Sequence, residues 1–340
     1  MYPMILTIKE AVCKILAVIL LLPTGYCLSD SNNTITAANP FESIENPYIV
    51  EYLNPDIAAH RSGAGNAPQN TLMAFENIIE KGDDCCVDTL EFDVQITADG
   101  ELVLQHDLTY DNTSNAVEAF GKKNVCVSSL TFEEAQVLNL GENFEVDGEY
   151  PYRGLRGDEI PENLRVVTCD SIIDYVEANC GDKKYNYLIE VKSIGADGKR
   201  AVDKLYSIIS ERNLTDRTVW STFAPDVSSY MKSDYPEIPR TADAIEAVGF
   251  YLCFAMGIDL KETNPSYVAL QIPYGGMIND FIDLGSEEML CYAHSYNIAV
   301  QYWTINEEED VKRLTENGAD CIITDYPEMA YSVIEECKNQ

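Results

Sequence analysis

Positive charge is scarce in this chain: 23 Lys and Arg stand against 57 Asp and Glu, a formal net charge of −34 with a pI near 4.2. Without a basic surplus there is nothing to displace counterions from a run of phosphates, which excludes nucleic acid as a partner. Any anionic substrate must be met by a few local cations. Histidine is scarcer still, at three residues. Long apolar runs are also lacking: the most sustained, 15–22, is well short of the ~20 residues a membrane-spanning helix needs. The 11 cysteines fall at no metal-site spacing, and no short repeat or low-complexity tract appears, which argues against zinc modules and solenoids.

The content that is present supports a sizeable core: 340 residues at 46% hydrophobic can hold one large α/β domain or two smaller ones. Lys9 and Lys14, the apolar run 15–22, Pro23-Thr-Gly and polar 29–33 read as a secretory signal peptide over 1–27, so the protein is expected to be exported, secreted or held at the cell surface. Lipid attachment at Cys27 is the lesser alternative, because bulky Tyr26 precedes it. With Cys13 and Cys27 in the leader, nine cysteines are left. Adjacent Cys85 and Cys86 are poorly placed to bridge each other, and buried free thiols are expected, with one or two disulfides open to an oxidising compartment. Residues 28–55, polar and carrying Pro40, Pro47 and Pro55, read as a linker or strap.

From residue 56 onward apolar runs alternate with helical periods. Strands are predicted over 56–60, 89–96, 185–192, 217–222, weakly 240–244, then 267–272, 299–304 and 321–325. Helices are predicted from Asn70 to Gly82 and over 170–178, 199–211, 225–233, 287–296 and 307–317. Eight βα-type units point to a TIM (β/α)8 barrel over 56–335. The stretch 108–165, with one helix at 131–140, is too long for an ordinary connection and reads as either a lid or a small subdomain inserted after the second strand.

Two of the three histidines, His60 and His106, end apolar runs, and each precedes a charged residue, Arg61 or Asp107. Between them Glu91 and Asp93 alternate on one strand, so both point to one face while Phe92 points to the other. Glu190 and Lys192 repeat the pattern around Val191. On an antiparallel sheet such alternation usually marks a solvated face. In a barrel sheathed by helices the carboxylates must instead enter the barrel mouth, where a cation is expected. Three carboxylates, Glu91, Asp93 and Glu190, offer hard oxygen donors suited to one Ca²⁺ or Mg²⁺. Arg61 and Lys192 would neutralise an anionic substrate. His60 is assigned as general base and His106 as general acid, an order the residues leave open. Asn70 is expected both to cap a helix and to support the site, and His294 to be a satisfied core or surface residue.

In order along the chain, His60-Arg61, Pro-Gln-Asn-Thr (68–71), Glu91-Phe-Asp93, His106-Asp107 and Glu190-Val-Lys192 resemble the pattern of the glycerophosphodiester phosphodiesterase family over about residues 56–332. Gln69 departs from the Glu usual there, and Asn112 from the Arg that commonly follows the HD pair. The resemblance implies a barrel with an insertion and a metal-dependent enzyme that hydrolyses glycerophosphodiesters to sn-glycerol 3-phosphate and an alcohol. It also implies Trp303 near the substrate, where a plain core aromatic is the alternative, and suggests Phe223 and Tyr326 as further pocket candidates. Alternatives are a phospholipase D-like or sphingomyelinase-like lipid phosphodiesterase, or a non-catalytic surface protein that binds phosphodiesters. The expected partner is a small-molecule diester, with no transmembrane span in the mature chain.

Overall fold

Strands buried on both faces read as unbroken apolar runs, and here they build a parallel sheet wrapped by helices. The computed structural model describes residues 46–82, 86–263, 265–275 and 283–339. The expected signal segment, Cys27, Cys85 and residues 28–45 of the polar segment lie outside the described residues.

In chain order the main elements are β1 (Asp56–Ala59), α1 (Leu72–Lys81), β2 (Thr89–Ile96), β3 (Leu102–Leu104), α2 (Ala116–Phe120), α3 (Phe132–Ala135), α4 (Cys169–Asn179), β4 (Asn186–Val191) and α5 (Gly195–Glu211). There follow β5 (Thr218–Ser221), α6 (Pro225–Asp234), α7 (Ala244–Met256), β6 (Ala269–Pro273), α8 (Glu287–Ser295), β7 (Ala299–Trp303), α9 (Glu308–Asn317), β8 (Cys321–Thr324) and α10 (Pro327–Lys338). The sheet runs β5-β4-β2-β1-β8-β7-β6, and every pairing along that path is parallel. Between its two edges, Arg240 bridges to Trp220 and Thr241 to Ala269, both in parallel sense. The curled sheet is thereby carried round as a (β/α)8 barrel.

That bridging pair is all that exists of the strand expected at 240–244. Asp243 ends it by capping α7, its carboxylate accepting from Ile245 N and Glu246 N while Glu246 reaches back to Asp243 N. The helix itself escaped the periodicity reading because it is apolar nearly all round. Its Asp-x-x-Glu start was the available sign. The helix expected at 131–140 is a single turn, α3, since Leu138 and Leu140 leave the helical path to join a separate apolar cluster with Val103, Tyr110, Val125 and Val127. β3 pairs antiparallel with β2 and delivers the chain into this inserted region.

Residues 46–54 cross the N-terminal ends of the last three strands. Asn46 Nδ2 donates to Val268 O and Asn297 O at 2.7 and 2.9 Å, and Val50 N donates to Asp320 Oδ1 at 3.2 Å. They therefore cover the end of the barrel opposite His60 and His106. The sheathing core is formed by side chains on the outer face of the sheet: Phe92 stacks edge-on with Phe75 and Tyr187, and Trp220 with Tyr206 and Tyr235. Cys126, Cys169, Cys180, Cys253, Cys291, Cys321 and Cys337 are free thiols. Among the described residues no helix is long and apolar enough to cross a membrane.

Candidate active site

Because Phe92 is spent on the outer core, Glu91 and Asp93 face inward from the middle of β2. The parallel register sets Asp93 beside Glu190 of β4. The three carboxylates each offer an oxygen within 4.8 Å of the others, and all three side chains are buried. Lys192, two residues beyond Glu190, brings Nζ to 3.2 Å from Asp93 Oδ1 and 2.5 Å from Glu190 Oε1. His60 and Arg61 form a 3-10 turn directly after β1, with Arg61 in left-handed conformation at φ 49°. That turn aims Arg61 N at Glu91 Oε2, 2.6 Å away, and Arg61 Nε at Asp93 Oδ2, 3.6 Å away. Arg61 Nε is buried and makes no hydrogen bond, while Nη1 donates to Gln69 Oε1.

Each catalytic candidate imidazole is held by a carboxylate at Nδ1: His60 by Asp325 Oδ1 at 2.7 Å and His106 by Asp107 Oδ1 at 2.8 Å. Asp325 is in turn fixed by Asn306 Nδ2 and Asp107 by Asn112 Nδ2, each at 2.7 Å. With Nδ1 engaged, Nε2 is the ring atom available to a substrate. One pocket is lined by His60, Arg61, Glu91, Asp93, His106, Glu190, Lys192 and Trp303, together with Phe223 and Gln271. Phe223 stands 5.8 Å from the Trp303 ring, edge to face.

The electrostatics are those of an acidic nest with too few cations. Burial, reinforced by Asp93, pushes Glu91 up to about 7. Burial acts on Asp93 in the same sense, but Lys192, His106 and Arg61 outweigh it and hold that carboxyl far below its usual range. Burial depresses Lys192, yet Glu190 and Asp93 more than restore it, so its ammonium stays charged. His106 is lowered by burial, with Asp93 and Asp107 pulling the other way. The bond from His106 draws Asp107 down to about 2. Glu190 Oε1 is buried and is held by the Lys192 ammonium. A hard divalent cation fits such a set of converging oxygen donors, in which three carboxylates outnumber the two fixed cations beside them.

Asn70 does not cap α1; Thr71 does, accepting from Ala74 N. Asn70 sits in left-handed conformation at φ 56°, donates to Asp93 Oδ2 at 2.9 Å and accepts from Asp93 N at 3.1 Å. It is a clamp on the carboxylate, and the helical start predicted one residue early had merged two neighbouring roles. Tyr326 lies outside the pocket, on an adjoining groove. His294 is buried outside the pocket, 2.7 Å from Asp320 Oδ2. The sequence reading missed Asp325, Asn306 and Gln271. An acid immediately after the apolar run 321–324 was the visible sign for Asp325, whereas nothing local distinguishes the other two.

Comparison with known proteins places these residues in context. Residues 60–329 match the model of the "Glycerophosphoryl diester phosphodiesterase family". A glycerophosphodiester phosphodiesterase of Caldanaerobacter subterraneus is 28% identical over 280 residues, covering 82% of this chain and 98% of the relative. A protein of the same name from Bacillus altitudinis is 25% identical over 285 residues, covering 83% and 99%. Among solved structures, an Oleispira antarctica phosphodiesterase in complex with the product sn-glycerol-3-phosphate superimposes with TM-score 0.61 at 19% identity, covering 83% of this chain and 97% of that one. The family match spans nearly all of the barrel and includes both histidines, all three carboxylates and both cations of the pocket. The chain is thus an enzyme of the glycerophosphoryl diester phosphodiesterase family.

Proposed function

We propose that this protein hydrolyses glycerophosphodiesters to sn-glycerol 3-phosphate and a free alcohol, using two histidines and one divalent cation, Ca²⁺ or Mg²⁺. The observation that carries the reading is the convergence of three buried carboxylates, Glu91, Asp93 and Glu190, with two carboxylate-bound histidines and two cationic side chains in one pocket. Glu91, Asp93 and Glu190 would hold the ion, which supplies Lewis-acid withdrawal of charge from a phosphoryl oxygen.

The chain's own groups do the rest. Arg61 presents a buried N–H that lies 3.6 Å from Asp93 Oδ2 but makes no hydrogen bond, and this donor is suited to a phosphoryl oxygen. Lys192 adds a point charge, so the extra negative charge of the transition state meets fixed cations rather than reorganising water. One imidazole Nε2 takes the proton from the attacking hydroxyl and the other protonates the departing alkoxide. Asp325 and Asp107 hold each ring in one orientation and stabilise its cationic form. Trp303 and Phe223 give the glycerol side of the substrate an apolar wall. Export by the N-terminal segment 1–27 belongs to the same reading, since a secreted or surface enzyme would meet diesters released outside the cell.

The test is release of sn-glycerol 3-phosphate from glycerophosphocholine with and without chelator. Chelation and His60→Ala are each expected to lower kcat by about 10²-fold or more, and added Ca²⁺ or Mg²⁺ to restore the chelated enzyme. Full activity in excess chelator, or binding of the diester with no product under any metal, would overturn the proposal.

A further inference from the structure

Beside the phosphate pocket lies a second cavity, a groove of about 250 Å³, whose walls come from the loop after β1, the loop after β8 and the inserted region. It touches the pocket at two points. Asp325 on its wall holds His60, and Gln69 holds Arg61. One side-chain contact each thus separates the groove from His60 and from Arg61, the two residues that would flank a bound phosphodiester.

The lining is chemically distinct from the pocket. His60, Arg61, His106 and Lys192 crowd the pocket, whereas the groove carries no Lys, Arg or His. It presents instead two aromatic rings, Tyr326 and Phe144, and one carboxylate from the insertion, Glu145. The Tyr326 ring lies directly against Gly65, where an added Cβ would meet its Cε1 at 2.3 Å, so the glycine sets the position of a ring that remains 42% exposed. Phe144 is braced by Tyr152 at 6.3 Å, and Glu145 Oε2 accepts from Tyr150 OH at 2.5 Å. Both positions at which the chain departs from the family pattern, Gln69 and Asn112, line this groove. Asn112 puts a neutral amide, spent on Asp107, where an arginine is usual, and so leaves the wall free of positive charge.

Resting on the phosphodiesterase reading, we propose that this groove is the subsite for the alcohol arm of the substrate and that it selects an alcohol carrying an alkylammonium group. Aromatic faces and a carboxylate with no competing cation attract a quaternary or primary ammonium and offer little to a neutral polyol. An anionic arm meets Glu145. The net charge of −34 repels the singly anionic glycerol ester at long range and leaves a zwitterionic ammonium ester unopposed, so the field and the local preference point the same way.

The experiment compares kcat/KM for glycerophosphocholine and for glycerophosphoglycerol in the wild type, Tyr326→Leu, Glu145→Gln and Asn112→Lys. The ratio of choline ester to glycerol ester is expected to fall about threefold to tenfold in each variant, mainly through KM for the choline ester. Asn112→Lys and Glu145→Gln alter exposed groups, so the measurement survives if Tyr326→Leu folds poorly. A wild type that cleaves both esters with a ratio unmoved by the variants overturns the subsite alone. A wild type that cleaves neither overturns the phosphodiesterase reading and the subsite with it.

Discussion

Asp325 follows β8 directly, with one carboxylate oxygen on His60 Nδ1 and the other on Asn306 Nδ2. Burial raises its pKa, but the bond from His60 wins and keeps it an anion. An anion there fixes the ring with its proton on Nδ1 and leaves Nε2 to the substrate; a carboxamide can donate as readily as accept and loses that control. Asp325→Asn is expected to lower kcat by about 10²-fold to 10⁴-fold, with KM for glycerophosphocholine within about threefold and an unchanged circular dichroism spectrum. A variant retaining near wild-type kcat would remove Asp325 from the proton-transfer apparatus. The contrast with Glu91 and Asp93 shows what a sequence discloses at this scale. Two acids two apart on an apolar strand announce a common face, because the period is local. The partnership of His60 with Asp325 spans 265 positions and exists only once β1 and β8 are neighbours.

At the scale of elements, the site depends on how closely α5 is seated on the strand that precedes it. Gly198, in the first turns of α5, has no room for a side chain: an added Cβ would lie 2.6 Å from Ser193 O and 2.5 Å from Val227 Cγ2. Ser193 in turn follows Lys192 and accepts from Ile96 N at 3.0 Å, tying the end of β4 to the end of β2. A backbone oxygen cannot rotate away as a side-chain tip can. Gly198→Ala should therefore destabilise the fold by about 1–3 kcal/mol, although alanine is the better helix former by ~1 kcal/mol. Urea unfolding followed by circular dichroism measures it. A variant as stable as the wild type would mean that the helix seat is compliant. Helices with a clear apolar stripe, such as α5 and α9, were legible from spacing. α7 was not, because a sequence apolar on every side has no stripe, and the strand before it was over-read because Arg240 and Thr241 contribute only single bridges.

For the molecule as a whole, a cluster of at least partly buried acids stands at each end of the barrel, Glu91, Asp93 and Glu190 at the pocket and Asp56, Asp88 and Asp320 at the other end. At the end away from the pocket, half-buried Asp56 is pushed up to about 7, first by burial and then by Asp88 and Asp320. Asp88 is raised in the same way, moderated by Ile57 N, Lys183 and Lys338. Buried Cys321 faces the same three carboxylates and His294 is bound to Asp320, and among the described residues no Lys or Arg forms an ion pair with Asp56 itself. In the unfolded chain Asp56 titrates near 3.8, and in the folded one near 7. Between those values the folded protein holds the extra proton, so this group's contribution to stability is intact below about 3.8 and is lost as pH rises through about 7. Asp56→Asn removes that loss. The variant is expected to match the wild type near pH 4 and to exceed it above pH 7 by up to about 4 kcal/mol, read as a rise in Tm that grows with pH. Glycerophosphodiester hydrolysis at fixed pH should be unaltered, because the substitution lies at the far end of the strands. Equal stability at pH 8, or a variant weaker there than the wild type, would mean that Asp56 is paired by something the carboxylate needs, and the acid at this end would then be structural, not a standing cost of the fold.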